Sequence, residues 1–447
     1  MNALLTDLYQ LTMAAGYFQS GMARGRGTFE LTVRKLPPNR SFLIAAGLAQ
    51  AVEYLLGLRF QEEELAYLRG LPQFARAPAD FFDMLRGLRF TGDLDAVPEG
   101  TVLFAGEPFL TLRAPLPEAQ IAETYLLSTI SFQTLVATKA ARVVQAAAGR
   151  AVAEYGTRRA HSPQAGVLAG RAAYIGGCIG TSNTLAGLRF GIPVFGTSSH
   201  AWVMAHQSEL EAFRNLQTLL GPQTTYILDS YDTLAGARKA ASLGPPLWGI
   251  RLDSGDFVQL ARRVRRILDA AGLTQAKIIA SGDLDESSIR NLVAACAPID
   301  AFGVGTELVT SADSPRLGAV YKLVEIECGG RRRPTAKFSP DKLSLPSAKQ
   351  VFRFATHDRV GLAAERPPEG AHALLEPVMR SGELIRPLPD AAAARQRAQD
   401  SLARLPEVYR RVDDPQAYRV EYSAELLALA EKVKDELKET EGDDGLL

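Results

Sequence analysis

Between Arg150 and about residue 325 one pattern repeats along the chain: an apolar run of strand length ends in Gly, Ser, Thr or Asp, and a helix-like stretch follows. The strand-like pieces are AVAEYGTRR, YIGGCIGTSN, PVFGTSSH, TYILDSYD, LWGIRLDSGD, KIIASGD and DAFGVGTE. Between them lie SPQAGVLAGRAA, ELEAFRNLQTLL, TLAGARKAAS, DFVQLARRVRRILDAAG and ESSIRNLVAACA. Strands that alternate with helices are joined by crossovers and therefore run parallel. Seven such units, each buried on both faces, predict a closed or nearly closed β/α barrel. The competing architecture is an open doubly wound sheet.

The flanks differ in texture. Residues 1–115 mix helix and strand: TDLYQLTMAAGYF has helical spacing with Thr6 as N-cap, and GTFELTVRKLP alternates like a strand. EGTVLFAGEPFLTLRAPLP reads as two short strands around a Gly-Glu-Pro turn. Residues 118–148 form one long helix or two joined ones. After 325 the rhythm stops. YKLVEIECGGRRRPTAKFSP reads as strand, turn and strand, with Arg331–Arg333 at a hairpin tip or in a linker, and the charged C-terminal helix is expected to fray into a disordered tail. The expected division is an N-terminal domain over 1–115, a barrel domain over 116–325, and a segment over 326–447 that packs back on the N-terminal domain.

Bulk properties exclude several classes. Zero formal net charge gives no electrostatic reason for nucleic acid or an anionic membrane as partner. The basic run Arg262, Arg263, Arg265, Arg266 lies opposite an apolar stripe and reads as a solvated helix face. Three dispersed cysteines without a CxxC spacing argue against a disulfide framework or structural zinc. No apolar run has membrane-spanning length, and MNALLTDLYQ lacks the features of a secretion signal. A cytoplasmic location is the expectation.

In a parallel barrel the active site lies at the C-terminal ends of the strands. Here those ends carry Arg158 and Arg159, Thr181–Asn183, Thr197–His200, Asp229, Arg251 and Asp253, Ser281–Asp283, and Gly303–Glu307. Each alone reads equally as a tight turn; the bias at every end does not. The glycines of SGD and GVGTE expose backbone N–H groups ahead of helices, which suits the phosphate of a phosphorylated sugar. Arginines at strand ends call for a carboxylate or phosphate, or for a neighbour such as Asp253. Asp253, Asp256 and Asp283 suit sugar hydroxyls or a metal-bound diphosphate, with Asp256 as helix cap the simpler role. No GxxxxGK[ST] occurs, which excludes a P-loop, and GGCIGT lacks dinucleotide spacing. His200, one of five histidines, follows four small residues.

With these residues assembled, the chain resembles the nicotinate phosphoribosyltransferase family over about residues 4–355. The likeness rests on TDLYQLTMAAGYF, EYGTRRAHSPQAG, GTSNTLAGLRFGIPVFGTSSHAWVMA, GIRLDSGD, IIASGDLDE and FGVGTELVTSAD…GAVYKLVEI. It implies an α/β fold, an incomplete β/α (TIM-like) barrel with an α/β domain built from N- and C-terminal segments. It implies formation of nicotinate mononucleotide and diphosphate from nicotinate and phosphoribosyl diphosphate, with coupled ATP hydrolysis, as the entry to NAD salvage from nicotinate. Mg²⁺ would accompany phosphoribosyl diphosphate, with no protein ligands predicted for it. A homodimer with shared active sites is implied.

The resemblance also implies residue roles. His200 is the transient phosphoryl acceptor from ATP, a role an imidazole suits near neutral pH, with Thr197 among the small neighbours that leave room for the phosphate. Tyr9 stacks on the pyridine ring from the other protomer, opposite Tyr155. Arg158 and Arg251 meet the substrate carboxylate or diphosphate, and Asp253 holds ribose hydroxyls. Ser281, Gly282 and Asp283, with Gly303, Gly305 and Thr306, cradle the 5-phosphate. Ser182 stands where nicotinamide-using relatives carry an acidic residue, so a nicotinate carboxylate meets no repulsion. Two positions depart from the family's usual pattern: Ser199 replaces Ala or Met before His200, and Ser347 replaces Gly after Pro346. Neighbouring Lys337 and Lys342 read as exposed lysines. The rivals are a nicotinamide phosphoribosyltransferase, a quinolinate-using enzyme, a non-catalytic sugar-phosphate-binding regulator, and an aldolase, which would want a lysine at a strand end.

Overall fold

A computed structural model describes residues 3–338 and 344–441, so Lys342 and the final six residues of the expected tail lie outside the described residues. The chain forms two compact units. The first comprises the stretch up to Thr134, Arg316–Pro389 and the stretch from Pro415; the second comprises Leu135–Pro315 and Asp390–Asp414.

The first unit is built on a seven-stranded antiparallel sheet. Its order is Arg331–Pro334, Ala319–Cys328, Arg26–Val33, Pro108–Pro115, Asp93–Ala96, Glu376–Arg380 and Glu383–Leu384. Arg26–Val33 is central, which explains why it is buried along almost its whole length. Leu31 sits between Tyr321 and Leu110, and Phe29 stacks on Tyr321 at 4.8 Å between ring centres. Helices Leu48–Leu56, Glu62–Arg69 and Ala79–Gly87 contribute Tyr54, Leu65 and Phe81 to the same core. Chain ends meet here because strands from before residue 116 pair with strands from after 318.

Two local expectations are corrected. Asp7, not Thr6, precedes helix Leu8–Gln19, because Thr6 Oγ1 donates instead to the carbonyl of Ile121 at 3.0 Å. Arg331–Arg333 lie on the returning strand of the hairpin rather than at its tip, where Gly329 and Gly330 take positive φ. The two strands expected around the Gly106 turn do form: Val102–Leu103 joins Leu43–Ile44, and Pro108–Pro115 joins the large sheet.

The second unit holds six parallel strands in the order Gly180–Thr181, Ala151–Glu154, Ala301–Val304, Lys277–Ser281, Gly249–Leu252, Thr225–Ile227. The last strand in sequence therefore pairs with the first. Six of the seven expected strands form; PVFGTSSH contributes only a bridge between Val194 and Thr181. Crossover helices Pro163–Ile175, Thr233–Leu243, Phe257–Ala270 and Glu286–Ala294 are capped by Ser162, Asp232, Asp256 and Asp285. Arg262, Arg263 and Arg266 are exposed on the third of these, opposite buried Ala261, Val264 and Leu268.

The units do not divide at 115 and 325. Helix Leu116–Ala146 is one uninterrupted element, and the boundary falls within it at Thr134. Residues 390–414 belong to the second unit rather than packing back with the rest of the C-terminal segment. Arg395 explains this: Nε and Nη2 donate to the carbonyls of Cys178 and Gly177 at 3.1 and 3.2 Å, and the guanidinium lies over Tyr174. Among the described residues no helix is long and apolar enough to cross a membrane, and the three cysteines are free.

In the first unit, Lys349 joins the two chain ends. Its Nζ lies 2.7 Å from Glu30 Oε2 and its backbone N–H donates to Oε1, with both side chains at most 5% exposed. Burial pushes the Glu30 carboxyl up, and the lysine opposes that shift. Lys349→Met strands the carboxylate and is expected to destabilise the first unit by about 3–5 kcal/mol in urea unfolding. Adding Glu30→Gln is expected to restore most of the loss; a double variant as unstable as the single one would show that charge is not the cause.

Candidate functional site

The mouth of the second unit is built by the residues that follow each parallel strand. Arg251 and Asp253 flank buried Leu252, so alternation turns both charged side chains away from it. Arg251 Nη1 donates to Thr197 Oγ1 at 2.9 Å, and its Nε lies 3.7 Å from Asp253 Oδ1 without a hydrogen bond. Ser281 Oγ donates to the same Asp253 oxygen. His200 opens the short helix His200–Met204, with Nε2 4.0 Å from Asp253 Oδ2 and Nδ1 3.0 Å from Ser230 Oγ. Ser254 Oγ donates to Asp229 Oδ2 at 2.6 Å, while Asp229 Oδ1 is buried with no hydrogen-bond partner among the described residues. The ends of three strands and the Thr197–His200 segment thus meet in one polar cluster.

Glycines let the neighbouring loops close on this cluster. At Gly303 a Cβ would lie 2.5 Å from Cδ2 of Tyr155 and 3.3 Å from Cβ of Ser281, so the Tyr155 ring rests on bare backbone. Burial raises the Tyr155 hydroxyl pKa, and Arg251 opposes the shift. Gly282 has φ +101°, and a Cβ there would stand 2.1 Å from the carbonyl oxygen of Asp253. Asp283 follows with φ +47° and is exposed. Gly305 precedes helix Thr306–Val309, and Thr306 opens it.

A cavity of about 320 Å³ is lined by Ala153 and Thr225 of the sheet and by Tyr155, Phe195, Thr197 and Trp248 from the segments beside it. Small side chains at Ala151, Ala153 and Ala301 leave this space open. Its polar lining is spread over both ends, with Thr197 and Tyr155 at one and Gln223, Lys277 and Asp300, at the starts of the strands, at the other.

Most of the expected site residues are therefore brought together: His200, Arg251, Asp253, Thr197, Ser281, Gly282, Tyr155 and Gly303 are linked by contacts within the second unit. Arg158 and Arg159 lie on the one-turn helix Thr157–Arg159 after the first strand, exposed and with no ion pair among the described residues. Ser182 is half-buried, its N–H bonded to the carbonyl of Glu154 at 2.8 Å. Tyr9 belongs to the first unit, on helix Leu8–Gln19, and is 50% exposed.

Sequence reasoning missed two residues. Ser230 is the partner of His200, hidden in LDSYD among other turn-like residues. Glu154 is fully buried and accepts from Thr181 Oγ1 and the Gly156 N–H, tying the Tyr155 loop to the Ser182 loop; burial raises its pKa against those two bonds. A carboxylate closing an otherwise apolar strand was the available signal.

Comparison with known proteins adds an independent line. The profile described as "Nicotinate phosphoribosyltransferase (NAPRTase) family" matches residues 151–353, and those for the N-terminal and C-terminal domains of the same enzyme match 4–131 and 363–430. The chain is 45% identical to nicotinate phosphoribosyltransferase pncB2 of Mycobacterium tuberculosis, over 93% of this chain and 90% of that protein. It is 38% identical to nicotinate phosphoribosyltransferase of Bacillus subtilis, over 94% and 93%. The crystal structure of human nicotinic acid phosphoribosyltransferase superposes with a TM-score of 0.85 at 30% identity, covering 96% of this chain and 99% of that one.

Gly282→Ala tests the loop geometry directly. The added methyl meets backbone that cannot swing away, in a φ region L-residues avoid, so a loss of about 1–3 kcal/mol in the unfolding of the second unit is expected. A fully stable variant with unchanged substrate affinity would refute the close approach of Gly282 to Asp253.

Proposed function

We propose, from the fact that the chain belongs to the nicotinate phosphoribosyltransferase family, that it joins nicotinate to phosphoribosyl diphosphate and couples the reaction to ATP through a phosphohistidine at His200. The observation that carries this reading is the cluster of His200, Ser230, Asp253, Arg251 and Thr197 at the strand ends. Adjoining it is the cavity that Tyr155 and Thr197 also line.

With Nδ1–H donating to Ser230 Oγ, His200 keeps the Nε2 lone pair for the γ-phosphoryl group of ATP. The N–P bond forms as the β–γ bridging P–O bond breaks, releasing ADP, and water later returns the phosphate to solvent. In the main reaction the pyridine nitrogen attacks the anomeric carbon while diphosphate departs, giving nicotinate mononucleotide. The sugar gains oxocarbenium character at that moment, so placement and charge stabilisation carry the rate. Tyr155 stacks on the pyridine ring, and Arg158 and Arg251 meet carboxylate or diphosphate. Asp253 orients ribose hydroxyls, and Ser281–Asp283 with Gly303, Gly305 and Thr306 hold the 5-phosphate.

Mg²⁺ fits this site as a companion of diphosphate. Among the described residues no three His, Cys, Asp or Glu converge on a metal position, yet the unpartnered Asp229 Oδ1 and the nearby Asp253 offer hard oxygens of the kind Mg²⁺ shares with phosphates and water. When bound there it neutralises diphosphate charge.

In this reading the parallel sheet curls into an incomplete barrel, which the pairing of the last strand with the first supports. The working form is a cytoplasmic homodimer in which Tyr9 of each protomer serves the other's pyridine site. Leu5, Leu8 and Met13 are exposed beside Tyr9, which supports an interface on that helix.

Three measurements test the proposal. With phosphoribosyl diphosphate and equal nicotinate and nicotinamide, nicotinate mononucleotide is the expected product; nicotinamide mononucleotide as the main product would transfer the chain to the rival activity. Ser182→Asp is expected to raise KM for nicotinate about tenfold through like-charge repulsion, on the order of 1.4 kcal/mol, and to leave KM for phosphoribosyl diphosphate unchanged. With γ-labelled ATP, acid-labile phosphate is expected on His200 and absent in a folded His200→Ala; label that persists in that variant would remove the phosphohistidine.

A further inference from the structure

Behind the two loops assigned to the sugar phosphate lies a buried ionic network that the reaction itself does not use. Lys139, in the part of helix Leu116–Ala146 that belongs to the second unit, is 1% exposed. Its Nζ lies 2.5 Å from Glu286 Oε2 and 2.9 Å from Asp313 Oδ1. Arg142, one turn further on, takes the other Glu286 oxygen at 3.1 Å and donates to the carbonyl of Val412, also at 3.1 Å.

The two acceptors of Lys139 are the back anchors of two different loops. Glu286 is the first residue of helix Glu286–Ala294, directly after the Ser281–Asp285 turn that carries Gly282 and Asp283. That turn is short and stiff. Leu284 is buried, and Asp285 and Ser288 close a reciprocal cap. Asp313 follows helix Thr306–Val309, the element opened by Gly305 and Thr306. It is tied back to that helix by the N–H of Ser311 on Leu308 O and of Ala312 on Glu307 O, at 3.2 and 3.1 Å. One ammonium group therefore bridges the loop after the Lys277–Ser281 strand and the loop after the Ala301–Val304 strand.

Stability gives no sufficient reason for such a network. Taking Lys139, Glu286 and Arg142 out of water costs about as much as their mutual attraction returns, and an apolar set of equal volume is often as stable. Nor does its field reach the substrate with effect, since two cations and two carboxylates cancel. What a multiply bonded, buried ammonium does supply is fixed geometry, and a phosphate held between two loops needs their separation fixed to a fraction of an ångström.

We propose that Lys139 is a positioning residue that sets the spacing of the two sugar-phosphate loops by donating to Glu286 behind one and to Asp313 behind the other. This rests on the reading that those loops hold the 5-phosphate.

The test uses the full-length protein with Lys139→Met, which keeps the aliphatic stem, and Asp313→Ala, which removes the second acceptor of Lys139 at a partly exposed position. KM for phosphoribosyl diphosphate is expected to rise about tenfold in each, with KM for nicotinate within twofold of the parent. In parallel, ribose 5-phosphate titrated calorimetrically into parent and variants is expected to bind about tenfold more weakly to both variants. Unchanged ribose 5-phosphate affinity in folded variants would overturn the proposal. So would a rise of both KM values in step with a lowered melting temperature, the mark of a purely structural role. If Lys139→Met fails to fold, Asp313→Ala alone decides. A parent that binds ribose 5-phosphate but does not turn over nicotinate would defeat the functional reading and leave the calorimetric comparison to judge Lys139.

Discussion

In-register pairing of the parallel strands carries Ile227 to Arg251, Arg251 to Ile279, Ser281 to Gly303 and Glu154 to Thr181, and the rest of the site depends on that register. A slip of one residue would turn Arg251 and Asp253 toward the helices and put Leu252 in the mouth. The register is secured by burial on the face opposite Arg251: Ile250, Leu252, Ile278, Ala280 and Phe302 share that face and are all inaccessible to solvent. The polar cluster is thus positioned by residues that take no part in its chemistry.

The same register explains where the cavity comes from. A parallel sheet buried on both sides would ordinarily fill its inner positions with branched side chains. Ala151, Ala153, Thr225 and Ala301 are too small to do so, and Tyr155 leans over bare Gly303 instead of filling the void. Room for a ligand is created by omission at interior positions, and polar groups at the strand ends then have a dry surface beside them. Among the described residues, Arg251 Nε, with Asp253 Oδ1 at 3.7 Å, and Asp229 Oδ1 are buried without a hydrogen bond, and both are open to a partner from solution.

Much of this was legible because it is local. Helices after strand ends announce themselves by Asp, Ser and Asn caps, and Asp256 and Asp285 occupy those positions. The glycines of SGD and GVG, and the scarce His200, stood out in the sequence. What stayed hidden depends on distant partners. Thr6 gave up its capping role to a carbonyl 115 residues away. Val194 reads as strand but finds only Thr181 beside it, so a single bridge forms. Residues 390–414 look like any surface helix until Arg395 meets Gly177 and Cys178. Lys139 lies mid-helix in a run of alanines and gives no sign that its partner is 147 positions on.

The two units each bury a lysine against a glutamate, and the contrast separates scaffold from site. Lys349 and Glu30 join strands whose order is already set by a continuous apolar core, and the lysine's remaining protons go to the carbonyls of Leu345 and Ser347 in its own segment. That pair seals a seam between chain ends, and its loss is felt as stability. Lys139 instead reaches two carboxylates on separate loops, each immediately behind a glycine-bearing strand end. The two loops leave neighbouring strands that pair at Ser281 and Gly303, and Lys139 ties them together a second time behind the turn and the short helix that follow. Glu30 and Lys349 instead sit on strands of two different sheets that share one apolar core, so their ion pair seals a junction within the scaffold rather than spacing loops at the mouth.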